Sequence, residues 1–195
     1  MNEMRAALRH VADDLERLGS GWALIGGFAV SARANPRFTS DIDIAVMVHG
    51  DVDAEELVRW FTAHGYGLLG SVEHDNGRLA LARLTRPVDS VDITIDLLFA
   101  SSGIELEIVH AAESLDVLGG LILPVAAIGH LIALKLLARD DKLRPQDLMD
   151  LTGLLKAATP EDLNVAAQAV RLITERGYNR ERDLIGALRE LTSAE

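Results

Sequence analysis

The sequence predicts an α+β fold in which a mixed sheet flanked by helices precedes a C-terminal helical bundle. Strand-like and helix-like segments alternate over residues 22–99, whereas only helical periodicity is found beyond Pro124. The 195 residues, of which 49% are hydrophobic, suffice for one sizeable core domain with a helical appendage. We therefore expect a core domain at residues 1–122 and a helical region at residues 123–195, and the two regions can share one core.

Turn residues delimit the elements of the first half. An amphipathic helix is predicted over residues 3–18, where apolar residues recur at helical spacing. Gly19-Ser20-Gly21 ends this helix. The elements that follow are a strand at 22–25, a helix at 28–34 ended by Asn35-Pro36, and a strand at 41–48. Further along we predict a helix at 53–64 and strands at 67–72, 78–84 and 91–99, with an Asp75-Asn76-Gly77 turn between the first two strands.

The second half is predicted to be helical. Residues 117–138 are mostly apolar and long enough to cross a bilayer, but Gly119-Gly120, Pro124 and Lys135 interrupt them. A strand, a turn at Pro124 and a buried helix account for this run better than a membrane span does. The predicted helices occupy residues 125–139, 145–157, 161–176 and 180–191, the third having Thr159 and Pro160 as start signals and Gly177 as a stop signal.

The composition excludes several kinds of protein. The absence of cysteine rules out disulfides and thiolate metal sites, and agrees with a reducing cytoplasm. Because the charged, amphipathic N-terminus does not match a signal peptide, we expect a soluble cytoplasmic protein with no membrane partner. At a net charge of −11, any nucleic-acid substrate must be held by local cationic clusters. The available clusters are Arg33 and Arg37; Lys135, Arg139, Lys142 and Arg144; and Arg176, Arg180 and Arg182.

Two aspartates are the first candidates for chemistry. On a strand, Asp41 and Asp43 leave the same face, while Ile42 and Ile44 point into the core. Two adjacent carboxylates repel each other unless a cation lies between them, and such oxygen pairs suit Mg²⁺. The alternative is the polar outer face of an edge strand, although aspartate is disfavoured in strands.

A glycine pair lies upstream of these aspartates. Gly26-Gly27 makes a tight turn from a strand into a helix, so backbone N–H groups and the positive end of the helix dipole are offered to an anion such as a triphosphate. Glycine permits close backbone approach, and Ser31, one helical turn on, can add a hydroxyl.

A third carboxylate comes from the strand predicted at residues 91–99, on which Asp92, Thr94 and Asp96 share one face. Asp96 is favoured over Asp92, because the apolar residues after it predict a position deep in the sheet, where an unpartnered charge is costly. Three carboxylates suit nucleotidyl transfer, in which metal ions hold the triphosphate and a carboxylate can take the proton of the incoming hydroxyl.

Lys135 lies in a predicted helix that is apolar nearly all round, where an ammonium group needs an anion. Phosphate is one candidate, and a structural ion pair, for example with Asp147, is the other. Asp147 and Asp150 lie three apart on one face of the next helix, where capping of the helix start is a further role for them.

These motifs together resemble a known superfamily. Ile25-Gly26-Gly27, thirteen further residues and Asp41-Ile42-Asp43-Ile44 resemble the G-[GS] turn and D-x-[DE] strand of polymerase-β-like nucleotidyltransferases. The longer string GGFAVSARANPRFTSDIDI and the later KLLARDDKLRPQDLMDL resemble the AbiEii/MenT branch, whose members are toxins of bacterial toxin–antitoxin and phage-defence systems. The resemblance covers roughly residues 22–151 and implies a polymerase-β-like core.

The resemblance also implies roles for single residues. They are Gly26, Gly27, Ser31, Arg37 and Lys135 for the triphosphate; Asp41, Asp43 and Asp96 for Mg²⁺; and Asp147 as a further acidic residue of the catalytic site. The implied enzyme transfers a nucleotide from an NTP, with CTP or UTP favoured, to the 3′ acceptor end of tRNA, which prevents aminoacylation. A cognate antitoxin is the implied protein partner.

Thr39 suggests a control point two residues before Asp41. A phosphate there would add about −1.5 to −2 charge where anions already crowd. Because related systems include kinase-like antitoxins, we take phosphorylation of Thr39 as a hypothesis. Two other functions stay open: the same chemistry on a small molecule or a protein hydroxyl, and a non-catalytic binding module on this fold.

Overall fold

A seven-stranded mixed sheet organises the fold of this chain, for which a computed structural model describes residues 2–74, 77–139 and 145–193. The elements are α1 Asn2–Arg17, β1 Trp22–Ile25, α2 Gly26–Arg33, β2 Asp41–Val46, α3 Asp51–Ala63, β3 Gly67–Glu73, β4 Leu79–Val88, β5 Val91–Leu98, α4 Glu105–His110, β6 Glu113–Asp116, β7 Ile122–Val125, α5 Ile128–Ala138, α6 Pro145–Ala157, α7 Pro160–Glu175 and α8 Leu184–Ser193. The predicted α+β class, with helices at the C-terminus, is confirmed.

The strand order is β3-β4-β5-β2-β1-β7-β6. β1 runs antiparallel to β2, whereas β2 and β5, and β1 and β7, are parallel pairs. Ile25 is in register with Asp43, Asp43 with Asp96, and Asp96 with Arg83. Since register partners on neighbouring strands point to the same face, this row places three polar side chains side by side on one surface of the sheet.

One hydrophobic core joins the sheet to the C-terminal helices. Ile44 of β2, Ile132 of α5 and Ile173 of α7 are all fully buried in it. Burial of each such side chain contributes about 1.5–3 kcal/mol, so the C-terminal helices are held to the sheet by ordinary core packing. α7 begins with the predicted cap, in which Thr159 and Asp162 bond to each other's backbone N–H groups.

The segment around Pro124 differs from the prediction. Pro124 lies inside β7 rather than in a turn, and the helix predicted from residue 125 begins at Ile128. β7 meets β1 in register only at Val125, so the missing N–H of Pro124 removes no bond from that ladder. The sequence patterns also missed α4 and β6, which have six and four residues. The last helix, predicted from residue 180, begins at Leu184.

Arg33 has a structural role rather than a place in a cationic cluster. Its guanidinium donates to the carbonyls of Ala126 (3.0 Å) and Val125 (3.1 Å) and to the carboxylate of Glu113. The end of α2 is thereby tied to β6 and β7. Lys142 and Arg144, like Asp75-Asn76 of the predicted turn, lie outside the described residues. Among the helices that the structure describes, none combines the length and apolarity needed to cross a membrane.

Candidate active site

A cleft of about 530 Å³ lies between the polar row of the sheet and α5. Within the described part of the chain, its lining includes four cationic side chains and four acidic ones, namely Arg37, Arg83, Lys135 and Arg180, and Asp41, Asp43, Asp96 and Asp147. The formal charge of this lining is therefore zero on a chain of net charge −11. The cleft lining should therefore repel an anionic substrate less than the rest of the surface does.

Three carboxylates converge at the floor of the cleft. Asp41, Asp43 and Asp96 each offer one oxygen, and these three oxygens lie within 4.8 Å of one another. Asp43 and Asp96 are register partners on adjacent parallel strands, whereas Asp92 is exposed at the start of β5. The structure therefore brings together Asp96, and not Asp92, with the aspartate pair of β2.

The pKa of Asp43 is raised by its surroundings in the cluster. Burial raises its pKa to about 6, and the negative charges of Asp41 and Asp96 act in the same direction. Lys135 and a hydrogen bond from the backbone N–H of Gly27 offset only part of this rise. A divalent cation at the cluster would relieve the repulsion and restore the ionised form.

The cluster fits Mg²⁺ by its chemistry. All three donors are carboxylate oxygens, the hard ligands that Mg²⁺ prefers. Arg83 uses both oxygens of Asp96, yet each carboxylate has about four acceptor positions, so Asp96 retains capacity for a metal.

The two glycines of the turn make room for these side chains. At Gly26, where φ is +62°, an added Cβ would lie 1.9 Å from Oδ2 of Asp43 and 2.7 Å from its Cβ. At Gly27 it would lie 2.6 Å from Oγ1 of Thr39 and 2.9 Å from a guanidinium nitrogen of Arg37. Both glycines are therefore required by the close approach of the turn to β2 and to the loop before it.

Arg83 was not found by the sequence patterns. Its Nε donates to Oδ1 of Asp96 at 2.8 Å and its Nη2 to Oδ2 at 2.6 Å. The available signal was a single arginine in the apolar run LALARL of β4. That signal does not name Asp96 as the partner, because the pairing depends on the register of β4 with β5.

Lys135 and Arg37 are tied to α6. Nζ of Lys135 lies 2.7 Å from Oδ1 of Asp147 and 2.8 Å from Oδ2 of Asp150, while Nε of Arg37 lies 2.8 Å from Oδ1 of Asp150. Burial raises the pKa of Asp150, but hydrogen bonds from Lys135, Gln146 and Arg37 outweigh burial and hold this pKa below its ordinary value. The predicted alternative of an ion pair between Lys135 and Asp147 is thus present. Lys135 also pairs with Asp150, a residue that the sequence analysis did not include among the site residues.

Ser31 and Thr39 have different positions relative to the cleft. Ser31 is not part of the cleft lining; its Oγ accepts from the backbone N–H of Arg37 at 3.2 Å and supports the loop before β2. Oγ1 of Thr39 donates to Oδ1 of Asp41 at 3.1 Å. Thr39 therefore touches the carboxylate cluster directly.

The loop before α8 also reaches the cleft, through Arg180. Arg180 and Glu181 have φ values of 53° and 59°, an uncommon conformation for residues with a Cβ. The neighbouring Arg182 donates to the carbonyls of Leu137 (3.1 Å) and Arg139 at the end of α5. The C-terminal region thereby supplies one wall of the site.

The mixed sheet, the carboxylates shared by β2 and β5 and the adjoining glycine turn define a nucleotidyltransferase. The chain belongs to the AbiEii family: the family model described as nucleotidyl transferase AbiEii toxin, type IV toxin–antitoxin system, matches residues 8–194. It is accordingly an enzyme of a nucleotidyltransferase toxin family, as the resemblance implied. Membership of this family implies an NTP substrate and a cognate antitoxin.

Two solved structures share the fold. An antigenic nucleotidyltransferase-like protein from Paracoccidioides brasiliensis is 16% identical with a TM-score of 0.57, and the alignment covers 96% of this chain and 93% of that one. The antibiotic-resistance factor ANT(2'')-Ia is 18% identical with a TM-score of 0.50, covering 100% of this chain and 96% of that one. No curated protein matches the sequence.

Proposed function

We propose that this enzyme transfers a nucleoside monophosphate from CTP or UTP to the 3′ acceptor end of a tRNA in the cytoplasm and so prevents aminoacylation. The observation that carries the proposal is the convergence of Asp41, Asp43 and Asp96 beside the cationic side chains of the cleft. Because the cleft lining is formally neutral while the whole chain carries −11, an anionic acceptor meets less repulsion there than elsewhere on the surface. The choice of tRNA and of a pyrimidine nucleotide is supported by the sequence resemblance to the AbiEii/MenT branch.

In this proposal the triphosphate binds along the Gly26-Gly27 turn, with Arg37 and Lys135 as cationic contacts. Both cations are already oriented by Asp150, so little conformational entropy is lost when they bind a phosphate. Lys135 also forms an ion pair with Asp147. Ser31 acts through Arg37, since it fixes the backbone of that residue.

Asp41, Asp43 and Asp96 hold Mg²⁺ in the proposed reaction. When bound, the metal neutralises charge on the triphosphate and favours ionisation of the acceptor hydroxyl. The 3′ oxygen attacks the α-phosphorus, a new P–O bond forms, and the bond to the leaving pyrophosphate breaks. Asp96, oriented by Arg83, accepts the proton of the hydroxyl.

A labelling experiment tests this function. The purified enzyme is incubated with Mg²⁺, total RNA and each of the four NTPs labelled at the α-phosphate, and Asp43→Ala serves as the inactive control. We expect label from CTP or UTP on the 3′ ends of tRNA, with no label from the variant or after chelation. Label on proteins, or absence of label on RNA, would refute the tRNA proposal.

A small-molecule hydroxyl is the second candidate acceptor. The observation that favours it is the shared fold with an antibiotic-resistance factor, ANT(2'')-Ia. Addition of an aminoglycoside to the labelling reaction decides between the two acceptors, because a labelled product of low molecular mass forms only under this alternative. A non-catalytic binding module would give no labelled product of any kind, and the intact carboxylate cluster argues against it.

We further propose that a kinase-like antitoxin silences the enzyme by phosphorylating Thr39. The hydroxyl of this half-buried residue lies 3.1 Å from a carboxylate oxygen of Asp41. A phosphate of charge about −1.5 to −2 there would repel the triphosphate and occupy space beside the cluster. We expect Thr39→Glu to abolish transfer and Thr39→Val to retain most of it; full activity of Thr39→Glu would exclude this form of control.

A further inference from the structure

The loop between α2 and β2 carries an aromatic side chain that the fold does not use. Phe38 is 89% exposed. The chain has eight aromatic residues, all within the described ranges, and the seven others are buried or half-buried. Phenylalanine is among the residues most often buried, so packing of this chain does not explain the position of Phe38.

Phe38 stands at the rim of the cleft. Its two neighbours in sequence, Arg37 and Thr39, both line the cleft, while its own ring projects into solvent. Thr39 bonds to Asp41 of the carboxylate cluster. The ring is therefore one residue away from side chains that adjoin the reacting groups.

Three contacts of Arg37 fix the loop that carries Phe38. Arg37 donates through Nη1 to the carbonyl of Phe38 at 3.0 Å. The backbone of Arg37 bonds to Ser31, and its guanidinium pairs with Asp150. An aromatic ring held on a fixed loop can bind a flat partner at a small entropic cost.

Resting on the proposed function, we propose that Phe38 is a stacking platform for an unpaired base at the 3′ end of the RNA acceptor. Proteins bind single-stranded nucleic acid by stacking bases on aromatic rings beside cationic grooves. Phe38 supplies the ring, and it lies next in sequence to Arg37 of the cleft lining. Because a phenyl ring has no donor or acceptor for base edges, Phe38 holds the acceptor end without selecting its sequence.

Four variants at two positions test the stacking role. Steady-state transfer to a tRNA acceptor is measured for Phe38→Ala, Phe38→Leu and Phe38→Trp, with Leu69→Ala, an exposed apolar residue of β3, as the matched control. We expect Phe38→Ala and Phe38→Leu to raise the KM for RNA about 10- to 100-fold. Phe38→Trp and the control should match the unmodified enzyme, and the Kd for NTP and the Tm should be unchanged in every variant.

An acceptor with an abasic 3′-terminal or penultimate nucleotide separates stacking from other contacts. If stacking is the contact, the unmodified enzyme should have a higher KM for these abasic RNAs than for intact RNA. For the RNA that lacks the stacked base, the unmodified enzyme and Phe38→Ala should have the same KM. Equal KM values for the enzyme and Phe38→Ala on intact RNA would overturn the inference and leave the proposed function standing. A Phe38→Leu variant that behaves like the enzyme would overturn stacking in favour of a general apolar contact. Absence of RNA labelling by the unmodified enzyme would overturn both proposals.

Discussion

Arg83 and Asp96 face each other across β4 and β5, joined by two parallel hydrogen bonds of 2.8 and 2.6 Å. The side chain of Asp96 is buried, whereas that of Arg83 is half exposed. A half-exposed ion pair contributes little to stability because solvent screens it. Its two-pronged geometry, however, fixes the orientation of a carboxylate in the catalytic cluster.

Replacement of Arg83 should therefore reduce catalysis more than folding. We expect Arg83→Ala to lower kcat about 10- to 100-fold, as is usual when the partner of a metal-binding group is removed. Arg83→Lys should recover only part of this loss, since an ammonium group cannot form the two-pronged contact. Thermal unfolding and transfer rates at saturating Mg²⁺ check both expectations. An unchanged kcat in Arg83→Ala would show that Arg83 is not needed to orient the Asp96 carboxylate.

Gly26→Ala tests the contact between the glycine turn and Asp43. Rotation of the Asp43 carboxylate cannot relieve the clash, because its Cβ would also lie only 2.7 Å from the new methyl group. We expect loss of transfer and a destabilisation of about 2 kcal/mol or more, since both the backbone conformation and the contact are violated.

Gly19→Ala is the matched control for this substitution. Gly19 has a φ of +67°, close to that of Gly26, but an added Cβ meets nothing within 4 Å. The control should cost about 1–2 kcal/mol from backbone conformation alone and leave transfer intact. Equal unfolding free energies for the two variants, measured in urea, would argue that the Asp43 contact is unimportant.

The raised pKa of Asp43 predicts how pH affects the metal-free protein. The folded state holds this proton up to a pKa of about 6, whereas the ordinary value is 3.8. The contribution of Asp43 to stability is therefore complete below about pH 4 and is lost as the pH rises through about 6. Asp43→Asn removes this dependence and also the repulsion from Asp41 and Asp96.

In the presence of a chelator, Asp43→Asn should have a Tm several degrees above that of the unmodified protein at pH 7.5, and nearly the same Tm at about pH 3.5, below the ordinary pKa of 3.8. The difference corresponds to at most about 3 kcal/mol, from 1.36 kcal/mol per pKa unit. Mg²⁺ should stabilise the unmodified protein increasingly as the pH rises through 6, because a carboxylate ligand must be ionised. A Tm difference that does not vary with pH would contradict this account.

The sequence predicted the parts of the site that are local in the chain. The β1 strand, the Gly26-Gly27 turn and the Asp41 and Asp43 pair lie within 22 residues of one another, and their patterns come from backbone geometry. Asp96 was identified by its strand face and apolar surroundings. Arg83 was not, since its role depends on how β4 registers with β5.

Two other features of the structure were not predicted from the sequence, for similar reasons. The four-residue strand β6 has too few positions to show an alternating pattern, and Pro124, which lies inside β7, was predicted to form a turn. The pairing of Asp150 with Arg37 joins residues 113 positions apart in the chain. Such a contact depends on the packing of α6 against α2, which no local pattern encodes.

Asp150 should accordingly matter for stability. It is 3% exposed and pairs with both Lys135 and Arg37. Removing the charge of Asp150 leaves two partly buried cations, one of which keeps Asp147. We expect Asp150→Asn to destabilise the protein by about 3 kcal/mol, at the lower end of the range for a broken buried ion pair.

Asp147→Asn is the comparison variant, because it leaves both Lys135 and Arg37 paired with Asp150. Urea unfolding at pH 7.5 measures the loss of stability in Asp150→Asn, and an unchanged unfolding free energy would show that neither Lys135 nor Arg37 depends on Asp150. Because Arg37 also carries the loop of Phe38 and Thr39, Asp150→Asn should raise the KM for both NTP and RNA, whereas Phe38→Ala should raise only that for RNA. The KM for NTP therefore distinguishes a displaced loop, expected in Asp150→Asn, from the loss of the aromatic ring alone, expected in Phe38→Ala.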